Sequence, residues 1–365
     1  MMGTGLKKED SAALKGVAIL LMMFAHCFRS EKFFQDYQVI FSPFTAEQII
    51  SVTSYGKICV SLFAFVTGYG LMFGYINNVK IKKKQSARGW VAAHLLSTMS
   101  GYWIVAILSY AFCVASGMIN IVKWGENAFQ RVYAVAADIL GFSALLGTKT
   151  IRGAWWYISA AIVFIVLAPL LAEMIEKIGG TAVILLVISL PRVLNVGYTG
   201  GNTPYPFLLA MVFGMLCCKY DLFAWAKSVK ITGICWLDQT LKFFLLGELV
   251  LFGAWSYFRA DLKIVWEYSF AIVPLFVILF CVLFLFRIKP LRIILAYIGK
   301  HSLNIWLVHT FLRDYGAKYL WMGRYAWTAI LIMLAFSLAV SICLEFLKKI
   351  LGYNRLMGMI TAKLK

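Results

Sequence analysis

Hydrophobic positions along the chain fall in runs long enough to cross about 30 Å of hydrocarbon as helices. They lie roughly at 11–29, 51–76, 90–117, 154–175, 180–196, 204–218, 240–258, 266–286, 297–313 and 325–351. The pattern predicts an all-α, polytopic transmembrane helical bundle of about ten spans, a single membrane-embedded domain over residues 1–365. One connection, about 118–153, holds the stretch FQRVYAVAADILGFSALLG, apolar at near-helical spacing yet carrying Arg131 and Asp138. An interfacial or re-entrant helix suits it better than a span. Asp138 reads either as a charge at the water interface or as a wall of an outward-facing site.

Composition agrees with this class: 62% of the residues are hydrophobic, 14% are charged, and the mean hydropathy is +0.82. A net charge of +19 raises the question of nucleic acid, but the basic residues sort between alternate loops. With the first span running outward, twenty lysines and arginines fall on the inner side, including Lys7, Lys83, Arg88, Arg292 and Lys365. Thirteen fall outside, among them Arg29, Lys57, Arg152, Arg259, Lys263 and Arg313. By the positive-inside rule both termini are expected in the cytoplasm, and the charge is a topology signal with no nucleic-acid partner implied. The first span lacks a small-residue cleavage site and reads as a retained signal anchor. The eight cysteines form no C-x-x-C pair and read as small apolar core residues, and no metal site is expected.

The informative positions are polar residues inside apolar runs. Lys15 and His26 lie in KGVAILLMMFAHCF, eleven residues apart. At about 100° per residue they share a helix face, separated by about 16 Å of rise. One stripe would then line a path from one membrane surface toward the other, although a snorkelling lysine and a hydrogen-bonded core histidine give the same pattern. IGKHSLNIWLVHTFL places Ser302 and His309 seven residues apart on one face, with His301 expected solvated at the membrane edge. About 10 Å of rise separates Ser302 from His309, too far for a nucleophile pair. Trp155, Trp156 and Tyr157 sit where an aromatic belt is expected, and can equally form a stacking surface for sugar rings. Thr67, Gly68, Gly70 and Gly74 are small residues of the kind that let helices approach closely.

Together these residues carry a resemblance. Lys15 and His26 match the [R/K]-x10-H signature of the membrane acyltransferase 3 family, LFAFVTGYGL is similar to its second-helix motif, and WWYISAAIVFIVLAPLL and GKHSLNIWLVHTFL resemble two later blocks. The resemblance implies a ten-helix bacterial inner-membrane enzyme without an appended soluble domain. It would move an acyl group, usually acetyl, from acetyl-CoA to a hydroxyl of a cell-envelope glycan or lipid-linked glycan. His26 would be the base, with His309 contributing. Lys15, Arg88 and Ser302 would contact the donor, and Trp155, Trp156 and Tyr157 the acceptor. The family's basic R-x-x-R pattern after the second span is replaced here by Arg88 and His94 at a different spacing.

Two other classes remain open on the sequence: a proton-coupled transporter or flippase of an envelope precursor, with Glu248 its main intramembrane carboxylate, and a non-catalytic partner in an envelope assembly. No motif selects the acceptor, the acyl group or an oligomeric state.

Overall fold

A computed structural model describes residues 5–195, 202–258 and 266–364; Arg259, Lys263 and Lys365 lie outside the described residues. The described residues are helical with no strand, and Ile40 and Tyr325 make an isolated parallel bridge.

The chain begins with α1 (Lys8–Phe28), whose first turn carries Glu9 and Asp10, favourable against the positive end of the helix dipole. A capping box between Thr45 and Gln48 opens α2 (Ala46–Thr53), which runs through a 3-10 turn into α3 (Ile58–Tyr75). Ser86 caps α4 (Ala87–Ala115), and α5 (Ala128–Ile139) and α6 (Ser143–Leu146) follow. Next come α7 (Trp156–Lys177), α8 (Gly180–Val193), α9 (Tyr205–Lys219), α10 (Leu222–Ser228) and α11 (Cys235–Phe258). The last part holds α12 (Val273–Leu283), α13 (Lys289–Lys300), α14 (Ser302–Tyr315), α15 (Ala317–Leu320), α16 (Ala326–Ile350) and α17 (Tyr353–Lys363).

Six helical segments among the described residues are long and apolar enough to cross a membrane: Lys8–Phe28, Ala46–Ile81, Ala87–Ala115, Gly153–Lys177, Tyr268–Arg287 and Ala326–Ile350. A seventh is added if α9 and α10, bent by 67° to one another, form one span. The protein is thus a multi-pass membrane protein. The apolar runs expected as further spans are helical too, but α8 and α14 have only 14 residues each, against the roughly 20 that a perpendicular crossing takes. The 24 residues of α11 include Asp238, Lys242 and Glu248.

The core is built on two very close crossings. A side chain on Gly68 of α3 would collide with the Met211 carbonyl of α9, and one on Gly214 of α9 with the Phe65 carbonyl of α3. The crossing of α1 and α13 repeats the device, with Gly16 against the Leu295 carbonyl and Gly299 against the Ala12 carbonyl. Without a hydrophobic force between helices in lipid, such close backbone contact is how they gain packing energy. Gly70, expected in the same role, faces open space.

Ion pairs tie together loops that the charge pattern groups. At one end Lys80 pairs with Glu173 and Glu176, Lys219 with Glu176 at 3.4 Å, and Arg292 with Glu9 and Asp10 at 3.5 Å. The other end holds Arg152, paired with Asp314 at 3.1 Å. Here α5 leaves Phe129 and Val132 exposed. Asp138 fits neither of its two expected roles. It is buried, accepting hydrogen bonds from the Tyr110 hydroxyl (2.7 Å) and the Ile151 N–H (2.9 Å), and so pins the 150–154 segment.

Candidate functional site

Because α1 is one unbroken helix, Lys15, Met22 and His26 form a continuous stripe, and all three line a single cavity of about 240 Å³. Thr67 from α3, Thr98 from α4, Trp156 and Tyr157 from α7, and Ser302 and Trp306 from α14 complete its walls. It is a narrow, largely apolar slot with a cation at one end, an imidazole at the other and hydroxyls along the way. Among the described residues Lys15 has no carboxylate partner, so its charge is available to an anion.

A second cavity, of about 580 Å³, begins where the first ends. The two share His26, Cys59, Val60, Ala154 and Trp156. His26 therefore stands at the junction of two spaces that open toward opposite ends of α1.

Hydrogen bonds set the protonation of the histidine pair. A guanidinium can only donate, and Arg313 Nη1 lies 3.1 Å from His26 Nδ1. In the neutral ring His26 Nδ1 is then the acceptor and the proton sits on Nε2. His309 lies edge-on to it, with ring centroids 4.7 Å apart, and is fully buried. Its Nδ1 donates to the Trp306 carbonyl at 2.7 Å, which leaves Nε2 as a lone pair without a hydrogen-bond partner among the described residues. The two rings thus sit side by side in opposite tautomers, and His26 lines both cavities.

That cavity is lined by Arg29 at the end of α1, Lys57 before α3, Arg152 before α7, and Thr310, Arg313 and Asp314 near the end of α14. Asp314 accepts from Arg313 Nε at 2.7 Å and from Arg152 Nη1 at 3.1 Å. Arg152 lies 4.0 Å from the Phe311 ring centre and 4.4 Å from that of Tyr315, contacts that stabilise a buried guanidinium by about 0.5–2 kcal/mol.

Of the site residues expected from the sequence, Lys15, His26, Ser302, Trp156 and Tyr157 meet in one place, and His309 backs His26. Trp155 and Arg88 do not join them. Trp155 ends the 3-10 turn that precedes α7, one residue before Trp156, and its ring turns into the core. There its Nε1 donates to the Leu307 carbonyl at 3.0 Å and its ring packs edge-on against Tyr102. Arg88 is exposed on the first turn of α4 and lines neither cavity. A third cavity, of about 750 Å³, takes Lys84, Gln85, His94 and Ser97 from that region instead. His301 is not simply solvated, since its Nδ1 lies 2.8 Å from Ser341 Oγ, where Asn304 also donates at 3.0 Å. Glu248 is exposed on α11 and lines neither cavity.

In the sequence Arg313 and Arg152 stood out only as loop charges, and Asp314 carried no signal of its own. A signal existed: Arg313 follows His309 by four residues, one helical turn on the same face.

The slot thus joins a cation, several hydroxyls and His26, with His309 packed behind it. The sequence profile of the acyltransferase 3 family, described as an acyltransferase domain, matches residues 11–346, nearly the whole chain. The protein belongs to this membrane acyltransferase family. No curated protein and no solved structure matches it.

Proposed function

We propose that the protein transfers an acyl group, acetyl in the simplest case, from cytoplasmic acyl-CoA to a hydroxyl of an extracytoplasmic cell-envelope carbohydrate. The observation that carries this reading is the junction of two cavities at His26. A slim thioester arm fits the slot from Lys15 to His26, and a bulkier acceptor fits the larger space beyond. The reading places ten spans and both termini as the charge pattern orients them, in the inner membrane of a bacterium, with the Lys15 end cytoplasmic.

In the proposed reaction His26 Nδ1 takes the proton of the acceptor hydroxyl as its oxygen attacks the thioester carbon. In this scheme the unpartnered His309 Nε2 accepts from His26 Nε2–H and favours the imidazolium that forms, as the orienting group of a catalytic triad does. Arg313 occupies His26 Nδ1 in this structure, so the hydroxyl replaces it there, and its guanidinium is then close enough to serve the tetrahedral oxyanion. Collapse breaks the C–S bond, and the thiolate leaves with the proton from His26 as free CoA. Lys15 binds donor phosphate in this scheme. Lys84 and Ser97 line the third cavity, next along the chain to Thr98 of the slot, which makes that cavity the natural bay for the nucleotide end.

Purified protein given labelled acetyl-CoA and an envelope glycan extract should transfer label to glycan, and a His26→Ala variant should not. Transfer at the wild-type rate by that variant would refute the proposal.

A further inference from the structure

The second cavity, of about 580 Å³, is much more cationic than a neutral sugar requires. Arg29, Lys57, Arg152 and Arg313 line it, and Asp314 is its single carboxylate. Both oxygens of Asp314 are engaged, one by Arg152 and one by Arg313. Arg29 and Lys57 have no carboxylate partner among the described residues. Thr310, only 3% exposed, lines the same cavity, and its hydroxyl has no hydrogen-bond partner among the described residues. The cavity thus holds two uncompensated cations and a buried hydroxyl that can donate.

We infer that this cavity selects a saccharide acceptor bearing an anion, a carboxylate or a phosphate, which Arg29 and Lys57 hold while a neighbouring hydroxyl reaches His26. Arg29 is exposed and Lys57 half-buried at the rim of this cavity, where cations of one sign lining a cleft raise the local concentration of an anionic ligand. The volume of about 580 Å³ lies within the range of small-molecule sites, about 300–1,000 Å³. An anion also gives Arg313 an alternative partner to His26 Nδ1, so binding the acceptor and uncovering the base are one event. The inference rests on the reading that this cavity receives the acceptor.

The test is equilibrium binding to the full chain in a zwitterionic detergent. The probes are a uronic-acid tetrasaccharide, a neutral tetrasaccharide of equal length, a phosphorylated oligosaccharide and short-chain phosphatidylglycerol. One or both anionic saccharides should bind at least tenfold more tightly than the neutral one, with the preference falling as salt rises. An Arg29→Gln, Lys57→Gln double variant should lose that preference, and a Lys57→Arg variant should keep it. Neutral saccharide binding as tightly as both anionic ones, no saccharide binding at all, or Arg29- and Lys57-dependent binding of phosphatidylglycerol alone would each overturn the inference. The parallel measurement of acetyl-CoA turnover in wild type and His26→Ala reports separately on the acyltransferase reading. Loss of His26 dependence with anion preference intact would refute that reading alone.

Discussion

His26 and His309 do different work although both are imidazoles in one apolar bundle. His26 lines both cavities, whereas His309 is fully buried and touches neither. A His26→Ala variant should lose transfer by about 10²–10⁴-fold, the usual span for a general base, while remaining monodisperse in detergent. The role proposed for His309 is that of an acceptor for His26 Nε2–H. His309→Gln retains a carbonyl acceptor and should keep part of the turnover, while His309→Leu should fall close to the His26→Ala level with little change in KM. Equal activities for the two variants, measured as initial rates of CoA release, would remove His309 from the mechanism. Lys15 and His26 were legible in the sequence because an ionisable residue inside a span stands out against its neighbours. Trp155 and Trp156 were not separable there. Both suit an aromatic belt, and only the short 3-10 turn over Gly153–Trp155 decides which ring meets the cavity.

Helices are recognisable from apolar runs, and each expected run is helical here. Their pairing is not recognisable, because Gly16 meets Leu295 and Gly68 meets Met211 across long stretches of sequence. The small-residue cluster of α3 announced a close approach, yet only its partner decides that Gly68 serves and Gly70 does not. Gly68→Val and Gly299→Val should each destabilise the bundle by more than the typical 1–3 kcal/mol of overpacking, since a backbone carbonyl cannot turn aside as a side chain can. Gly70→Ala should be nearly neutral. Thermal unfolding in detergent reads the difference, and comparable midpoints for all three variants would contradict the packing described. The sequence also merged α13 and α14 into one run. The structure separates them at His301, where the amphipathic α13 gives way to the shorter helix that carries Ser302, His309 and Arg313.

At the scale of the molecule the charge pattern supplied an orientation, and ion pairs such as Arg292 with Glu9 and Asp10 gather loops of one predicted side at one end. Single cysteines placed near Lys83 and Lys363 in a cysteine-free background should be protected from impermeant reagents in intact cells, and one near Arg131 should react. Labelling at Lys83 from outside would reverse the orientation. The cavities themselves were beyond the sequence, because their walls come from α1, α3, α4, α7 and α14 together and no local pattern encodes that assembly.

The central claim is that an acyl group passes from the Lys15 side to the opposite side through His26. Oriented membrane vesicles test it most directly, with labelled acetyl-CoA supplied only outside and transfer to envelope glycan measured on the lumenal face. Inverted vesicles, which expose the Lys15 end, should label lumenal glycan only when wild-type protein is present. Right-side-out vesicles, and inverted vesicles carrying His26→Ala, should stay unlabelled. Equal labelling in both orientations, or labelling that survives His26→Ala, would contradict the account.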